Sequence, residues 1–418
     1  MTTCRGFMHK KTKFKYGKTF CEIEVPDKAD SLSIREPVSL INKKQFLDNF
    51  SLSLPDNLSN CHAIAIVVAD KTRLCDYKIY LPWILEILLQ KSMEKQQIQF
   101  FIAYGTHARQ SDEDCLDAYG ETYQNYRFIH HDSNDKSLFT NLGRTDRGTG
   151  VHIRKDLLEK DLIITFGALS HHYFAGYGGG RKLLFPGLGY QPDIYQNHGL
   201  FLDKNLKDLT PGCWPGNLEN NPLAQDLKQV DEFIETQRVS IHGILDSKGT
   251  VCQLIVGQSY TDFISACKTL DSFYKTRTDE HYELVIASCG GFPKDINFIQ
   301  AHKAINNAAM FVKDGGSLIV LAECIDGIGS DSFIEYFNYH NFTQAFNILE
   351  KDYKGNGGTA LSMMAKTSRI NIFLKTFLDD KICQKIGIQK IEDNMILTLT
   401  QKFHHDMACI KNASLLVR

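Results

Sequence analysis

The stretch AIAIVVADKTR, residues 63–73, decides the architecture. From Ala63 to Ala69 every residue is apolar, without the polar alternation of a half-exposed strand, and the run stops at Asp70-Lys71-Thr72-Arg73. A short all-apolar run bounded by polar residues reads as a strand buried on both faces. The same pattern returns at 98–104 (IQFFIAY), ending at Gly105-Thr106-His107, and at 161–166 (DLIITF), running into a loop of histidines and glycines. Between the first two lies a helix-like segment from Ile79 to Met93, and Ser111 opens SDED, a helix cap. Strands buried on both faces and alternating with helices imply an α/β fold with a mainly parallel sheet. The polar stretch SFYKTRTDEHY (272–282) marks a boundary, after which the pattern restarts with a strand at 283–288, Gly290-Gly291, a helix through Gln300 and Lys303, and a strand at 317–322. The expected division is an N-terminal α/β domain over 1–272 and a C-terminal α/β domain over 273–418.

Composition narrows the function classes. The chain has 418 residues, 43% apolar and 23% charged, with a formal charge of -2. That length supports two cores. Without a basic excess there is nothing to neutralise a phosphate backbone, which argues against a nucleic-acid partner. The opening MTTCRGFMHKKTKFKYG lacks the apolar run of a signal peptide, and no later segment reaches the roughly 20 apolar residues of a membrane helix. The twelve cysteines form no CxxC pair and read as buried, reduced thiols of a cytoplasmic protein.

Chemistry concentrates at the strand ends. Ligands of open parallel sheets bind beyond the carboxyl ends of the strands, and Asp70, Arg73, His107, His171 and His172 all stand there. The loop SHHYFAGYGGGRKLLFPG (170–187) adds Gly178, Gly179, Gly180, Arg181 and Lys182. It matches neither a P-loop nor a dinucleotide fingerprint. Three glycines do let backbone N–H groups approach an anion, and Arg181 offers a bidentate fork. Read singly, the glycines are a tight turn and each histidine is a packed core residue; read together with His198, they suggest metal-ligand and acid–base chemistry. Lys182 is a phosphate binder or an attachment point, with Arg181 beside it to lower its pKa. His130-His131-Asp132 reads as a hydrogen-bonded strand end.

These residues resemble the nickel-dependent lactate racemases, whose relatives racemise or epimerise other 2-hydroxy acids. The resemblance rests on AD-KTR (69–73), YGTHARQS (104–111), SHHYFAGYGGGRKLLFPG (170–187), QNHGLF (196–201), NPLAQD (221–226) and GGFPKDINFIQAHKA (290–304), in that order along nearly the whole chain. It implies two α/β domains with the site in the cleft between them. It implies a nickel-pincer nucleotide, a pyridinium mononucleotide joined as a thioamide to Lys182, with nickel held by the cofactor and His198. By the same carry-over His107 and His172 are bases for opposite antipodes, and Arg73 and Lys303, with Gln300, hold the substrate carboxylate. Asp70 contacts cofactor or orients Arg73, and Gly178, Gly179, Gly180 and Arg181 line the cofactor. The implied reaction is reversible hydride transfer through a 2-keto acid, and the implied partners are a small 2-hydroxy acid and cofactor-maturation proteins. The stretch GNGGTALSMMAKT (355–367) departs from the family in lacking a His-Lys pair and an aromatic residue; Trp83 and Trp214 lie elsewhere. A larger, more polar or branched 2-hydroxy acid is therefore as compatible as lactate. Two other readings compete: a divalent-metal hydrolase built on the histidines, and a non-catalytic nickel or cofactor carrier.

Overall fold

The computed structural model describes residues 9–418, which divide into two compact units. The opening MTTCRGFM, with Cys4, lies outside the described residues. One unit comprises Glu36–Phe201 and Pro211–Phe273; the other comprises Leu202–Thr210, Tyr274–Arg418 and the described residues up to Arg35.

The first unit is built on a six-stranded sheet in the order Val251–Gly257, Gln237–Leu245, Leu162–Ala168, Ile64–Ala69, Ile98–Ala103, Arg127–His130. All neighbours are parallel except the Val251–Gly257 edge strand, which pairs antiparallel. Every residue of Ile64–Ala69 is buried, as its apolar run requires of a central strand. The chain first adds strands on one side of Ile64–Ala69 and then returns to add Leu162–Ala168 on the other. The order therefore reverses between these two strands, and the crevice beyond their carboxyl ends is where such sheets bind ligands. Asp70 begins one of the two connections and the histidine–glycine loop the other. The helix following the first strand runs Tyr77–Gln90, and Ser111 forms a capping box with Asp114 ahead of Asp112–Tyr119.

The second unit carries a six-stranded sheet, parallel throughout, ordered Gln389–Lys390, Asn371–Lys375, Val312–Leu321, Tyr282–Ser288, Met407–Ile410, Asp30–Leu32. A single division near residue 272 misses its N-terminal contribution. The hairpin His9–Tyr16/Thr19–Pro26 buries Phe14, Ile23 and Val25 in one core with Leu284, Ile286, Ile319 and Leu321, and Asp30–Leu32 supplies the edge strand. One face of this sheet would otherwise expose its apolar side chains, and the hairpin covers it.

Among the described residues all cysteines are free thiols, most of them buried, and no helix is long and apolar enough to cross a membrane. The departing stretch at 355–367 lies mostly in the helix Gly357–Arg369, where a Cβ on Gly357 would come within 2.5 Å of Leu349 and 2.7 Å of Tyr336. That glycine serves close packing. Trp83 packs against Phe46 and Tyr80.

Candidate active site

The site grows from the end of Ile64–Ala69. Two buried phenols fasten Ala69: its N–H donates to the Tyr77 hydroxyl at 2.8 Å, and the Tyr119 hydroxyl donates to its carbonyl at 2.8 Å. The next residue, Asp70, is only 2% exposed. Its Oδ1 accepts from the Thr72 N–H and hydroxyl, capping the Lys71–Arg73 turn, and its Oδ2 lies 2.6 Å from His107 Nδ1. Burial is the largest single influence on this carboxyl and acts to raise its pKa. The His107 hydrogen bond, the Arg73 charge and Thr72 together outweigh it and hold Asp70 below its ordinary value. An ionised carboxylate can only accept, so His107 Nδ1 carries the proton, and in the neutral ring it is Nε2 that has the lone pair. That is the tautomer of a base.

The second connection carries Ser170–His172 and Gly176–Gly178, a short antiparallel hairpin that pairs His171 with Tyr177 and His172 with Gly176. Consecutive residues of a strand point to opposite sides, and the two histidines part accordingly. His171 Nε2 lies 2.8 Å from Asp271, which also accepts from the Tyr177 hydroxyl, so this ring anchors the hairpin. His172 packs its ring on Phe174 at 4.5 Å, and its Nδ1 accepts from the Ala175 N–H at 3.3 Å. The neutral His172 ring therefore carries its proton on Nε2, the opposite arrangement to His107.

Phe174 joins three of the expected site residues. Its ring centroid is 5.8 Å from Lys182 Nζ, 5.2 Å from the His198 ring and 4.5 Å from the His172 ring. Desolvation above all, then the charges of Arg73 and Arg181, push the Lys182 ammonium well below the ordinary lysine value. Burial, with Lys182 second, pushes His198 down to about 3. His198 is thereby held as a neutral imidazole able to ligate a metal, and Lys182 is shifted toward the neutral amine that acts as a nucleophile. This is the donor chemistry that a lysine-tethered, single-histidine nickel cofactor needs, and the residues fit that group.

Hydrogen bonds tie these pieces together. Gly105 N–H, two residues before His107, donates to Gly187 O at 2.8 Å, and Gly187 N–H donates to Lys182 O at 2.9 Å. His198 ends the helix Gln191–Gly199. The preceding Asn197 donates to Asp226, which is fully buried and also accepts from Thr145 and Thr149. Asn221 donates to Phe174 O at 2.8 Å. Phe174, Asn197 and Asp226 escaped the sequence reading of the site, although all three lie inside motifs quoted for the resemblance. No spacing rule marks an aromatic spacer or a carboxylate acting one layer away.

The glycines work differently from the expectation of a simple anion cradle. Gly179 has φ +81° and a Cβ there would lie 2.3 Å from Ala168 O; Gly180 has φ +55° and would meet Phe263 at 2.9 Å. A Cβ on Gly178 would stand 3.0 Å from Ser170 Oγ. Gly179 and Gly180 are required by close packing and by their positive φ, whereas at Gly178 the Ser170 side chain could give way. What they free is the start of the Gly180–Leu183 turn, whose first internal bond is Lys182 N–H to Gly179 O at 3.1 Å; the earlier N–H groups of such a turn have no partner within it. Arg181 does not join the Lys182 group. Its guanidinium donates to Ala224 O and lies 5.2 Å from the rings of both Tyr260 and Phe263.

Gln300 and Lys303 belong to the second unit, one turn apart on the helix Phe298–Ala308, with Lys303 Nζ donating to Gln300 Oε1 at 2.7 Å. At the strand end His130 is held by the Tyr104 and Tyr123 hydroxyls and His131 Nε2 lies 3.0 Å from Gly189 O, while His131 Nδ1 is buried without a partner. Among the described residues no three His, Cys, Asp or Glu side chains gather as a metal-holding group. A hydrolase whose metal is held by protein side chains alone lacks its ligand set there.

Comparison with known proteins agrees with this geometry. Residues 16–209 match the family model described as the lactate racemase N-terminal domain, and residues 277–366 match the lactate racemase C-terminal domain. A lactate racemase of Thermoanaerobacterium thermosaccharolyticum is 28% identical over 333 residues, 77% of this chain and 76% of that protein. A lactate racemase of Lactiplantibacillus plantarum is 30% identical over 285 residues, 67% of this chain and 63% of its own length. In fold, the chain is similar to the lactate racemase apoprotein of T. thermosaccharolyticum, with a TM-score of 0.86 at 22% identity, over 98% of this chain and all of that one. A Thermotoga maritima protein shares the fold at a TM-score of 0.67 and 14% identity, over 91% of this chain and 99% of that one.

Proposed function

Because this chain belongs to the lactate racemase family by both of its matched domains, we propose that it interconverts the enantiomers or epimers of a 2-hydroxy acid by reversible hydride transfer through a planar 2-keto acid. Family membership supports an isomerase of the racemase type; the cofactor, the route and the residue roles are our reading. The observation that carries it is the Lys182–His198 pair, both desolvated and set around the Phe174 ring at the point where the sheet order reverses.

When bound, a nickel-pincer nucleotide would supply the electron sink that hydride chemistry at C2 of the substrate needs. Lys182 is the attachment point, His198 the protein ligand to nickel, and the open N–H groups ahead of Lys182 suit the phosphate. His107, fixed by Asp70, takes the substrate hydroxyl proton at Nε2 as hydride leaves. On the opposite approach His172 acts as imidazolium, its Nδ1 released from the Ala175 N–H: Nε2–H passes its proton to the carbonyl oxygen as hydride returns, and the neutral ring left behind is the base when the other antipode reacts. Arg73 offers a fork to the substrate carboxylate, and Lys303, hydrogen-bonded to Gln300, is assigned a substrate-binding role. The free thiols of the described cysteines support a cytoplasmic setting.

The test is a panel of enantiopure 2-hydroxy acids, deuterated at C2, given to the cofactor-loaded chain. Racemisation with a primary isotope effect and label kept in the product is the expected outcome. A hydrogen moved as hydride does not exchange with water, whereas one carried as a proton on histidine does. Complete washout in early turnover would replace the hydride route with proton abstraction.

A further inference from the structure

On the first unit, a cavity of about 50 Å³ is lined by Arg181, His242, Thr165, Ser240, Ser259 and Tyr260, among others. Two of its lining residues are buried and short of partners. Arg181 is 8% exposed, and its Nε and one terminal nitrogen are buried without a hydrogen-bond partner. His242 is 2% exposed, and both its ring nitrogens are buried without one. The other charged groups around the cavity are satisfied: Arg238 pairs with Asp231, and Asp262 accepts from the N–H groups of Gln258 and Ser259 and from the Ser259 hydroxyl. Arg181 makes no ion pair among the described residues; its guanidinium meets two aromatic faces and one backbone carbonyl.

We propose that this cavity is a binding site for a small monovalent inorganic anion of chloride size, held by Arg181 and His242. A buried guanidinium without a counter-charge is costly, and an unmade hydrogen bond to a charged donor adds to that cost. The groups facing the cavity are mostly donors. Arg181 offers Nε–H and a terminal N–H, and the neutral His242 ring offers one N–H. The Ser240 hydroxyl is a further donor, since it accepts from Thr165 at 2.9 Å and its own hydrogen is free to turn inward. One water accepts two such bonds and brings no charge. A halide accepts from all of them and neutralises Arg181. The volume suits one ion or one to two waters, at about 30 Å³ per water in the liquid.

The site also bears on the proposed attachment residue without depending on that assignment. Arg181 immediately precedes Lys182, and a Cβ on Gly180 would stand 3.2 Å from His242 Cε1. An ion there would stiffen the turn that carries Lys182.

The experiment is bromide substitution in crystals of the full chain, cofactor-loaded and unloaded, with anomalous maps. A peak between the Arg181 guanidinium and the His242 ring is expected in both. Density without anomalous signal at saturating bromide means water and overturns the proposal. A peak in the unloaded chain alone hands the cavity to the cofactor's phosphate and overturns it equally. In parallel, melting in sodium chloride against sodium gluconate at equal ionic strength removes general screening. A saturable rise of a few degrees specific to chloride is expected, because a ligand that binds only the folded state stabilises it, and it should vanish in Arg181→Gln. No chloride-specific rise in the wild type overturns the proposal. If Arg181→Gln does not fold, the wild-type maps and melts still decide.

Discussion

The two units carry the same kind of sheet and use its switch point in opposite ways. In the first, the reversal between Ile64–Ala69 and Leu162–Ala168 is followed by Asp70, Arg73, the paired histidines and Lys182. In the second, the order reverses at Tyr282–Ser288, between Val312–Leu321 and Met407–Ile410. There the N-terminal hairpin takes up several of the polar groups, although Asp295 Oδ1 stays buried without a partner. Ser288 donates to Lys15 O, Phe292 N–H donates to Gly17 O at 2.7 Å, and the fully buried Asp295 accepts from Gly17 N–H at 2.7 Å and Glu323 N–H at 3.4 Å. A switch point marks where a ligand can bind; whether the protein's own chain already fills it decides whether one does.

Variants at the two switch points should therefore fail in different currencies. The largest effect is expected at Lys182. Lys182→Ala should fold normally yet retain no covalent cofactor, because alanine offers no amine for a thioamide. Intact mass and peptide mapping of the co-expressed protein check this, and an adduct on any other lysine refutes the assignment. Next come the histidines. His107→Ala and His172→Ala should keep nickel and lose racemisation in both directions, by about 10²–10⁴-fold each for a general acid–base group. His198→Ala should lose nickel itself. Metal content and chiral product analysis on the three proteins separate the roles, and equal nickel loss in all three would point to a polyhistidine site.

The second switch point should respond in stability instead. Asp295→Ala leaves the Gly17 N–H buried without its acceptor, at a cost of about 1–3 kcal/mol. Urea denaturation should show that loss while kcat of the remaining folded enzyme stays within about twofold of wild type, well under one pK-unit equivalent of barrier. A large fall in kcat would mean that the hairpin-filled switch point also serves the chemistry. The smallest effect is expected at His171→Gln. Glutamine can still hydrogen-bond Asp271, so the hairpin should be weakened by no more than about 1 kcal/mol, with nickel content unchanged. Nickel loss in this variant would return His171 to the site.

Much of the first unit was legible in one dimension. Short, mainly apolar runs bounded by polar turns read as strands covered on both sides, so Ile64–Ala69, Ile98–Ala103 and Leu162–Ala168 announced a parallel sheet, and the residues after them announced its reactive edge. The resemblance then attached roles to His107, His172, Lys182 and His198. The N-terminal hairpin was not legible as part of the second unit. Its alternating pattern states that one face is buried but not against which sheet, and its partners lie more than 250 residues away.

The sequence by itself determined the local periods, the turn chemistry and the order of polar residues at strand ends, because each depends on neighbours along the chain. Only the tertiary structure decided which of two adjacent histidines turns toward Phe174 and which toward Asp271, and that Arg181 and Lys182 keep separate company. It alone desolvated Lys182 and His198 and so lowered the pKa of each. These outcomes depend on what distant segments place beside a side chain. Burial, Coulomb attraction and hydrogen bonding act through space, and the spacing of residues along a chain does not record those distances.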